Sequence, residues 1–292
     1  LMKNNRFVAA VLVPVFLLML AFLFLPLLLG LGISFFDYNP LRSANTFIGL
    51  DNYLKLARDP VFLKVLTNTL WFVFVTVALN IVFTLLLSLL VSSLPSNKFR
   101  SFFRMLFFLP CIAPMVGSTA VWGSRLYHLR TGIINNFITR LGGKPVNFLG
   151  DAQVVMWALI LFTLWVDFGY NTVLFSAGLD AIPGTFQDAA KIDGANARQR
   201  FFHITLPLLE RTFVFVLIMT LISHFQMFVQ FQTLANRGGP NYASTVLTLY
   251  VYNLGFINKD MGYASTVALV LFAIIMLVTL VQRRLMKTDW EY

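Results

Sequence analysis

The polar segment at residues 182–194 reads IPGTFQDAAKIDG and lies between two long apolar runs. Its residues predict a short helix. Thr185 is a good N-cap, and Asp188, three residues later, completes a capping-box pattern and favours the positive helix terminus. Gly194 readily adopts the left-handed conformation that ends a helix. We therefore expect a compact helix over residues 186–193, in the middle of a longer polar loop at about 180–211.

A second helical pattern follows at residues 195–206, and Pro207 is expected to break it before the next apolar run. The predicted result is a helix–turn–helix with Ala189 and Ala190 exposed. Small side chains let the groove of another protein approach the backbone closely. A capped amphipathic loop without a partner is the alternative interpretation, because capping alone accounts for much of the pattern.

The flanking apolar runs determine the fold class. Hydrophobic residues make up 58% of the 292 residues and charged residues 12%, with a mean hydropathy of +0.78. Soluble domains carry about 25% charged residues, so lipid must cover most of this surface. We predict an all-α polytopic protein with a single transmembrane domain over residues 1–292. The predicted spans are 7–33, 65–91, 105–124, 154–179, 212–235 and 261–282.

The positive residues predict the orientation. If both termini are cytoplasmic, the inner segments are 1–6, 92–104, 180–211 and 283–292, and they hold twelve of the 22 Lys and Arg residues. The outer segments are longer, so their positive charge is less dense. The positive-inside rule therefore favours cytoplasmic termini.

Several other functions find no support in the residues. The net charge of +10 is spread over all the loops without aromatic platforms, which argues against nucleic-acid binding. No pattern typical of catalytic residues or of a metal site is found, because His128, His203, His224 and Cys111 lack metal-ligand spacing. The GGKP stretch at residues 142–145 lacks the first glycine and the hydroxyl of a P-loop, so any ATP must act on another chain.

Polar side chains inside two predicted spans are candidates for a substrate path, because such groups need partners or a wet cavity in the membrane. Asp167 is the clearest case, since no Lys or Arg lies in a span core to pair with it. The candidates at helical spacing are Thr163, Asp167, Tyr170 and Asn171 in the fourth span, and Thr220, Ser223, His224 and Met227 in the fifth.

Two alternatives remain open for these residues. Asp167 and His224 would pair with each other if the polar groups only bridge helices. In an ion-coupled secondary transporter, Asp167 would instead be the proton site, although such carriers often contain matching repeats and this chain shows no matching halves.

Two motifs resemble the permease subunits of ABC importers. Asp188, Ala189, Ala190 and Gly194, followed by Ile204-x-Leu206-Pro207, resemble the EAA loop of this family, with Asp in place of the usual Glu. Residues 234–240 read LANRGGP and are followed by Thr245, Tyr250 and Tyr252. This segment resembles the one after the penultimate span in carbohydrate-type permeases, similar to the maltose F and glycerol-phosphate A subunits.

The resemblance implies a type I importer permease fold with a cytoplasmic coupling helix that docks into a cleft of an ATPase subunit. The residues that it assigns to ATPase coupling are Phe186, Asp188, Ala189, Ala190, Gly194, Ile204, Leu206 and Pro207. It also implies that the two polar faces line a path for a mono- or oligosaccharide.

The implied partners are a second homologous permease, two ATPase subunits that hold ATP and magnesium, and an extracellular or periplasmic sugar-binding protein. The chain itself is expected to bind no cofactor. The implied location is the bacterial or archaeal cytoplasmic (inner) membrane, which the chain crosses several times.

Overall fold

The computed structural model of the protein describes residues 2–285 and is almost entirely helical there. Within that range five helices are long and apolar enough to cross a membrane, or six if one sharply bent pair counts as a single span. The all-α, roughly six-span fold predicted from the sequence is thereby confirmed.

The helices in chain order are α1 (Met2–Met19 and Leu25–Ile33, joined by the π-helical turn Leu20–Phe24), α2 (Asp51–Arg58), α3 (Pro60–Ser92), α4 (Asn97–Ile112), α5 (Met115–Val121, extended by the π-helical turn Trp122–Leu126), α6 (Ile133–Arg140), α7 (Val155–Asp180), α8 (Gly184–Ile192), α9 (Ala197–Arg200, continued by the π-helical turn Phe201–Thr205 and by Leu206–Leu208), α10 (Glu210–Phe225), α11 (Val229–Thr233), α12 (Leu247–Tyr252, extended by Asn253–Ile257) and α13 (Met261–Leu285). A short antiparallel hairpin pairs β1 (Phe36–Asp37) with β2 (Thr46–Phe47).

The chain divides into two compact units. One contains the residues up to Leu63 together with Tyr250–Ile274, and the other contains Lys64–Leu249 together with the residues from Ile275 onward. The prediction of a single domain over the whole chain remains a prediction. The positive residues that predict the orientation include Lys287, which lies outside the described residues.

In the first unit, buried and half-buried hydrogen bonds hold the β-hairpin and the start of α13. The Asn52 amide nitrogen donates to the carbonyl oxygens of Ser34 (2.8 Å) and Phe36 (3.1 Å). The Asp59 carboxylate accepts hydrogen bonds from the hydroxyls of Tyr250 (2.7 Å) and Tyr263 (2.6 Å). Burial raises the pKa of Asp59, but these bonds and two backbone amides outweigh it, so its pKa lies below the ordinary value.

In the second unit, α4 packs closely against α7 at a glycine. A Cβ atom added to Gly169 would overlap the Phe107 carbonyl oxygen and approach the Phe108 Cα to 2.9 Å. Small residues allow such close helix contacts in membranes, where burial of apolar area between helices gives little driving force. Gly169 therefore sets the distance between these two helices.

The third predicted span is the one that departs most from the sequence prediction. Instead of one helix over 105–124, the structure has α4 and the helical run Met115–Leu126, bent by 89° relative to each other. Ala113, between them, is extended (φ −64°, ψ 135°). Because Ala113 precedes Pro114, the proline ring disfavours the helical conformation at this residue.

The fifth predicted span, 212–235, is also interrupted, since α10 ends at Phe225 and α11 begins at Val229. No proline causes this break. The carbonyl of Met227, which the break leaves without a helical partner, accepts a hydrogen bond from the Thr248 hydroxyl at 2.5 Å. Within a membrane, a backbone carbonyl outside a regular helix must find a hydrogen-bond donor in the protein, and Thr248 provides it here.

Candidate functional site

Helix α8 corresponds to the predicted coupling helix but begins differently from the prediction. Its N-cap is Pro183, with no side-chain capping bond, and Gly184 is already helical. The predicted Thr185 cap and Asp188 capping box are therefore wrong. The fixed backbone of Pro183 starts the helix, and Asp188 instead pairs with Lys191, with 2.9 Å between its Oδ1 and the Lys191 Nζ.

The surface of α8 is more apolar than the sequence suggested. Ala189 is exposed as predicted, whereas Ala190 is only 8% exposed, which corrects the prediction for that residue. Ala190 packs inward because its carbonyl accepts the amide of Ala195 (2.9 Å), which folds the chain back over it. Phe186 and Ile192 are 44% and 86% exposed. These two large apolar side chains and Ala189 are exposed on the helix beside the charged side chains of Asp188 and Lys191.

The turn after α8 forms as the sequence predicts. Gly194 has a φ of +76°, the left-handed conformation that glycine adopts without strain. The helix that follows starts at Ala197 and is capped by Asn196, whose side chain accepts from the Gln199 amide at 2.9 Å in a full capping box. This capping box was not predicted from the sequence, although Asn followed three residues later by Gln is its ordinary signature.

Pro207 does not break the second helix as expected. The π-helical turn Phe201–Thr205 precedes it, and helical structure continues to Leu208. The wider turn accommodates a proline that an α-helix interior would not, because proline lacks an N–H and crowds the preceding turn. Of the other predicted coupling residues in α9, Ile204 and Leu206 are half-buried, and Pro207 is exposed.

Polar contacts join α8 and its flanks to the spans. The Gln187 amide nitrogen donates to the Thr205 hydroxyl at 3.0 Å, connecting α8 to α9. The Arg104 guanidinium and the Asp180 carboxylate form an ion pair of 2.7 Å, connecting α4 to the last residue of α7. Helix α8 is thus hydrogen-bonded directly to the segment that follows it, and the end of the helix that precedes it is paired with α4.

In the interior of the second unit, three helices share a buried polar network. The Asn171 side-chain Nδ2 (α7) donates to the Asn80 side-chain Oδ1 (α3) at 2.6 Å and to the Thr220 hydroxyl (α10) at 3.0 Å. All three side chains are buried. Two predicted path residues, Asn171 and Thr220, are thus brought into direct contact.

Asp167 and His224 face each other next to this network. The His224 Nδ1 lies 2.8 Å from the Thr220 carbonyl, and its Nε2 lies 3.6 Å from the Asp167 Oδ2. The His224 side chain is 1% exposed, whereas that of Asp167 is 23% exposed. The second distance is too long for a hydrogen bond, and the Asp167 carboxylate is partly exposed beside a buried imidazole.

The remaining candidates lie in different surroundings. Tyr170 and Ser223 are exposed, Met227 is half-buried at the break after α10, and Thr163 is fully buried. The Thr163 hydroxyl has no hydrogen-bond partner among the described residues. The structure therefore joins four of the eight candidates, namely Asp167, Asn171, Thr220 and His224.

Two features of the interior were missed by the sequence analysis. Helix α3 carries a buried polar stripe, which consists of Thr76, Asn80, Thr84 and Ser88. Their spacing of four residues was a readable signal. Gln230 in α11 is 1% exposed, and both its polar side-chain atoms lack partners within the described part of the chain. No sequence signal separates it from Gln226 and Gln232.

Comparison with known proteins places this arrangement in a family. The profile described as "Binding-protein-dependent transport system inner membrane component" matches residues 3–288. The chain is 31% identical to the probable ABC transporter permease protein YurN of Bacillus subtilis (strain 168), over 100% of both chains. It is 30% identical to the lactose transport system permease protein LacF of Rhizobium radiobacter, covering 92% of this chain and 90% of that protein.

A solved structure has the same fold. A chain in the crystal structure of a bacterial alginate ABC transporter, in complex with an alginate pentasaccharide-bound periplasmic protein, superposes with a TM-score of 0.85 at 22% identity, covering 98% of this chain and 97% of that one. The likeness shows a shared fold, and the profile match over nearly the whole sequence identifies the family. The chain belongs to the binding-protein-dependent transport system inner membrane components, the permease subunits of ABC transporters.

Proposed function

We propose that this chain is the permease subunit of an ATP-driven importer of a mono- or oligosaccharide and forms half of the translocation pathway. The observation that carries the proposal is the short helix α8, which lies between the long spans and leaves Phe186 and Ile192 exposed. Exposed apolar side chains on an otherwise polar loop are typical of a protein-docking surface. The partner for α8 is an ATPase subunit, as the family membership supports.

The coupling contact has a structural basis in this chain. Phe186 and Ile192 supply apolar contacts, Ala189 allows close approach, and the left-handed Gly194 turns the chain back towards the membrane. Closure of two ATPase subunits around ATP moves the α8 helices of this chain and of a second, homologous permease towards each other. The Gln187–Thr205 and Arg104–Asp180 contacts pass this motion to α9, α7 and α4. The pathway thereby alternates between two states.

The substrate class rests on the interior polar groups and on the relatives. Asp167, Asn171 and Thr220 offer carboxylate, amide and hydroxyl partners of the kind that sugar hydroxyls need, and Tyr170 offers an exposed aromatic face. Lactose and arabinooligosaccharides are the substrates named for two relatives. An external binding protein delivers the sugar, the energy comes from the ATPase subunits, and the chain needs no cofactor of its own. Both termini are cytoplasmic in this proposal.

The test is uptake of radiolabelled sugars into proteoliposomes that contain the chain with its co-purified partners and the binding protein. We expect uptake that requires internal ATP and is lost when the ATPase subunits are removed. Asp167→Asn is expected to reduce the uptake rate while leaving ATPase association unchanged. Uptake by the chain alone that is driven by a proton gradient and abolished by Asp167→Asn would refute the proposal and support the ion-coupled carrier.

A further inference from the structure

A second site lies beside the coupling helix, outside the predicted substrate path. An open cavity of about 1020 Å³ is lined by the end of α3, the start of α4, the end of α7, helix α8 and α9, all within one compact unit. Asp167, Asn171, Thr220 and His224 are absent from its described lining. The cavity lies at the ends of three spans. The ends of spans are the region that meets the lipid headgroups.

The lining of this cavity is strongly basic. It contains four cationic side chains, Arg100, Arg104, Lys191 and Arg200, and a single carboxylate, that of Asp180. The carboxylate already pairs with Arg104 at 2.7 Å. Two or more cations that share one cavity without equivalent anions repel each other, especially where water is partly excluded. The cavity therefore has an excess of positive charge that a bound anion would balance.

The partners of the other three cationic side chains support this conclusion. Lys191 pairs with Asp188, which lies outside the cavity lining, and both side chains are exposed. The Arg100 Nε donates to the carbonyl oxygen of Leu94 at 2.8 Å, a neutral partner. The Arg200 guanidinium has no ion-pair partner among the described residues. Arg100 and Arg200 thus keep their charge available to a ligand.

Unused hydrogen-bond donors line the same space. The Ser92 hydroxyl and the Arg104 Nε are buried and have no hydrogen-bond partner in the part of the chain that the structure describes. Buried donors without partners cost free energy unless a ligand or water accepts from them. Planar guanidinium groups bind the oxygens of a phosphate in pairs, and hydroxyls add single bonds to it.

We propose that this cavity is a binding site for a phosphate group, in which Arg200 and Arg100 are the principal ligands. Basic pockets between transmembrane helices at the cytoplasmic face are suited to anionic lipid headgroups, and the same chemistry fits a soluble phosphate ester. The assignment of this face to the cytoplasm rests on the proposed function. Because α8 forms one wall, a bound phosphate stabilises one position of the coupling helix, so binding and transport are linked reciprocally.

The test uses the purified complex with its partner subunits and two compounds that share a phosphate group. Binding of glycerol 1-phosphate is measured by calorimetry, and retention of phosphatidylglycerol is measured by native mass spectrometry. The variants are Arg200→Gln and Arg100→Gln. The matched control is Arg198→Gln, because Arg198 lies two residues from Arg200 in α9 but is not part of the cavity lining.

We expect at least one of the two compounds to bind about tenfold more weakly to Arg200→Gln and Arg100→Gln, because each change removes hydrogen bonds from a charged guanidinium to the phosphate. Its affinity for Arg198→Gln should be unchanged. A change confined to phosphatidylglycerol identifies a lipid headgroup as the ligand, and one confined to glycerol 1-phosphate identifies a soluble ester. Equal binding by all four proteins, or no binding of either compound, would overturn the proposal. Neither binding measurement requires transport. Failure of the phosphate-site proposal can therefore be distinguished from failure of the proposed transport function.

Discussion

Replacing Gly194 tests whether the conformation of the turn after α8 matters for coupling. Gly194 has a φ of +76°, and no atom lies within 4 Å of a Cβ added there. Gly194→Ala therefore introduces backbone strain without any steric clash. The left-handed conformation costs an L-residue about 1–2 kcal/mol. If the strain is relieved by unwinding the turn, the population with α8 correctly placed falls by a factor of about 5 to 30.

The assay compares three variants in one experiment. Co-purification of the ATPase subunits with a tagged chain gives the docked fraction, and initial uptake rates in proteoliposomes give the coupled activity. Gly194→Ala should lower both. Gly194→Asn should lower them less, because asparagine tolerates this conformation better than alanine. Gly184→Ala is the control, since Gly184 also has open space around it and a negative φ.

Two results would refute this reasoning. If Gly194→Ala and Gly184→Ala behave alike, the left-handed turn has no role in holding α8. If Gly194→Asn is more damaging than Gly194→Ala, strain is not the cause, and the side chain itself is interfering with a contact.

Three further predictions concern stability, each measured as thermal or denaturant unfolding of the purified complex in detergent. Gly169→Ala should destabilise the fold by about 1–3 kcal/mol, because the added methyl group overlaps the Phe107 carbonyl. Gly32→Ala is the control and should leave the stability unchanged, since open space surrounds Gly32. Equal melting temperatures for the two variants would contradict this prediction. Asn171→Leu should cost about 0.6–1.7 kcal/mol by removing its two buried hydrogen bonds, and an unchanged stability would show that they contribute nothing. Asp59→Asn should destabilise the fold at neutral pH, because the carboxylate accepts charge-assisted hydrogen bonds from Tyr250 and Tyr263 that hold its pKa below the ordinary value of 3.8. This contribution is lost as the pH falls through the lowered pKa. The difference from the parent protein should therefore shrink in acid, and a difference that is constant with pH would contradict the assignment.

The spans were predictable because uninterrupted apolar runs leave few alternatives in a membrane, and α7 lies within a residue of its predicted bounds. The breaks were harder to predict. The bend before Pro114 carries a local signal, whereas the break after Phe225 has none, because its stabilising partner, Thr248, is distant in sequence.

The candidate site was predictable only where its residues lie on one helix, because spacing along a helix can be seen in the sequence. Helical spacing predicted that Asp167 and Asn171 share one face of a span and that Thr220 and His224 share one face of the next, but it did not reveal Asn80, which comes from a third helix. Ala190 was misassigned because the fold-back of the chain after Gly194 buries it, and that depends on tertiary structure.

Cross-linking from α8 tests the central claim most directly. Cys111 is the only cysteine, so Cys111→Ser provides a cysteine-free background for Ile192→Cys, whose parent side chain is 86% exposed. Phe137→Cys in α6, where the parent side chain is 64% exposed, is the control on the predicted outer side. After labelling with a benzophenone and illumination, we predict that the Ile192→Cys variant cross-links to an ATP-hydrolysing subunit and the Phe137→Cys variant does not. A cross-link to that subunit from Phe137→Cys alone, or from neither variant in a complex that retains the ATPase, would contradict the account.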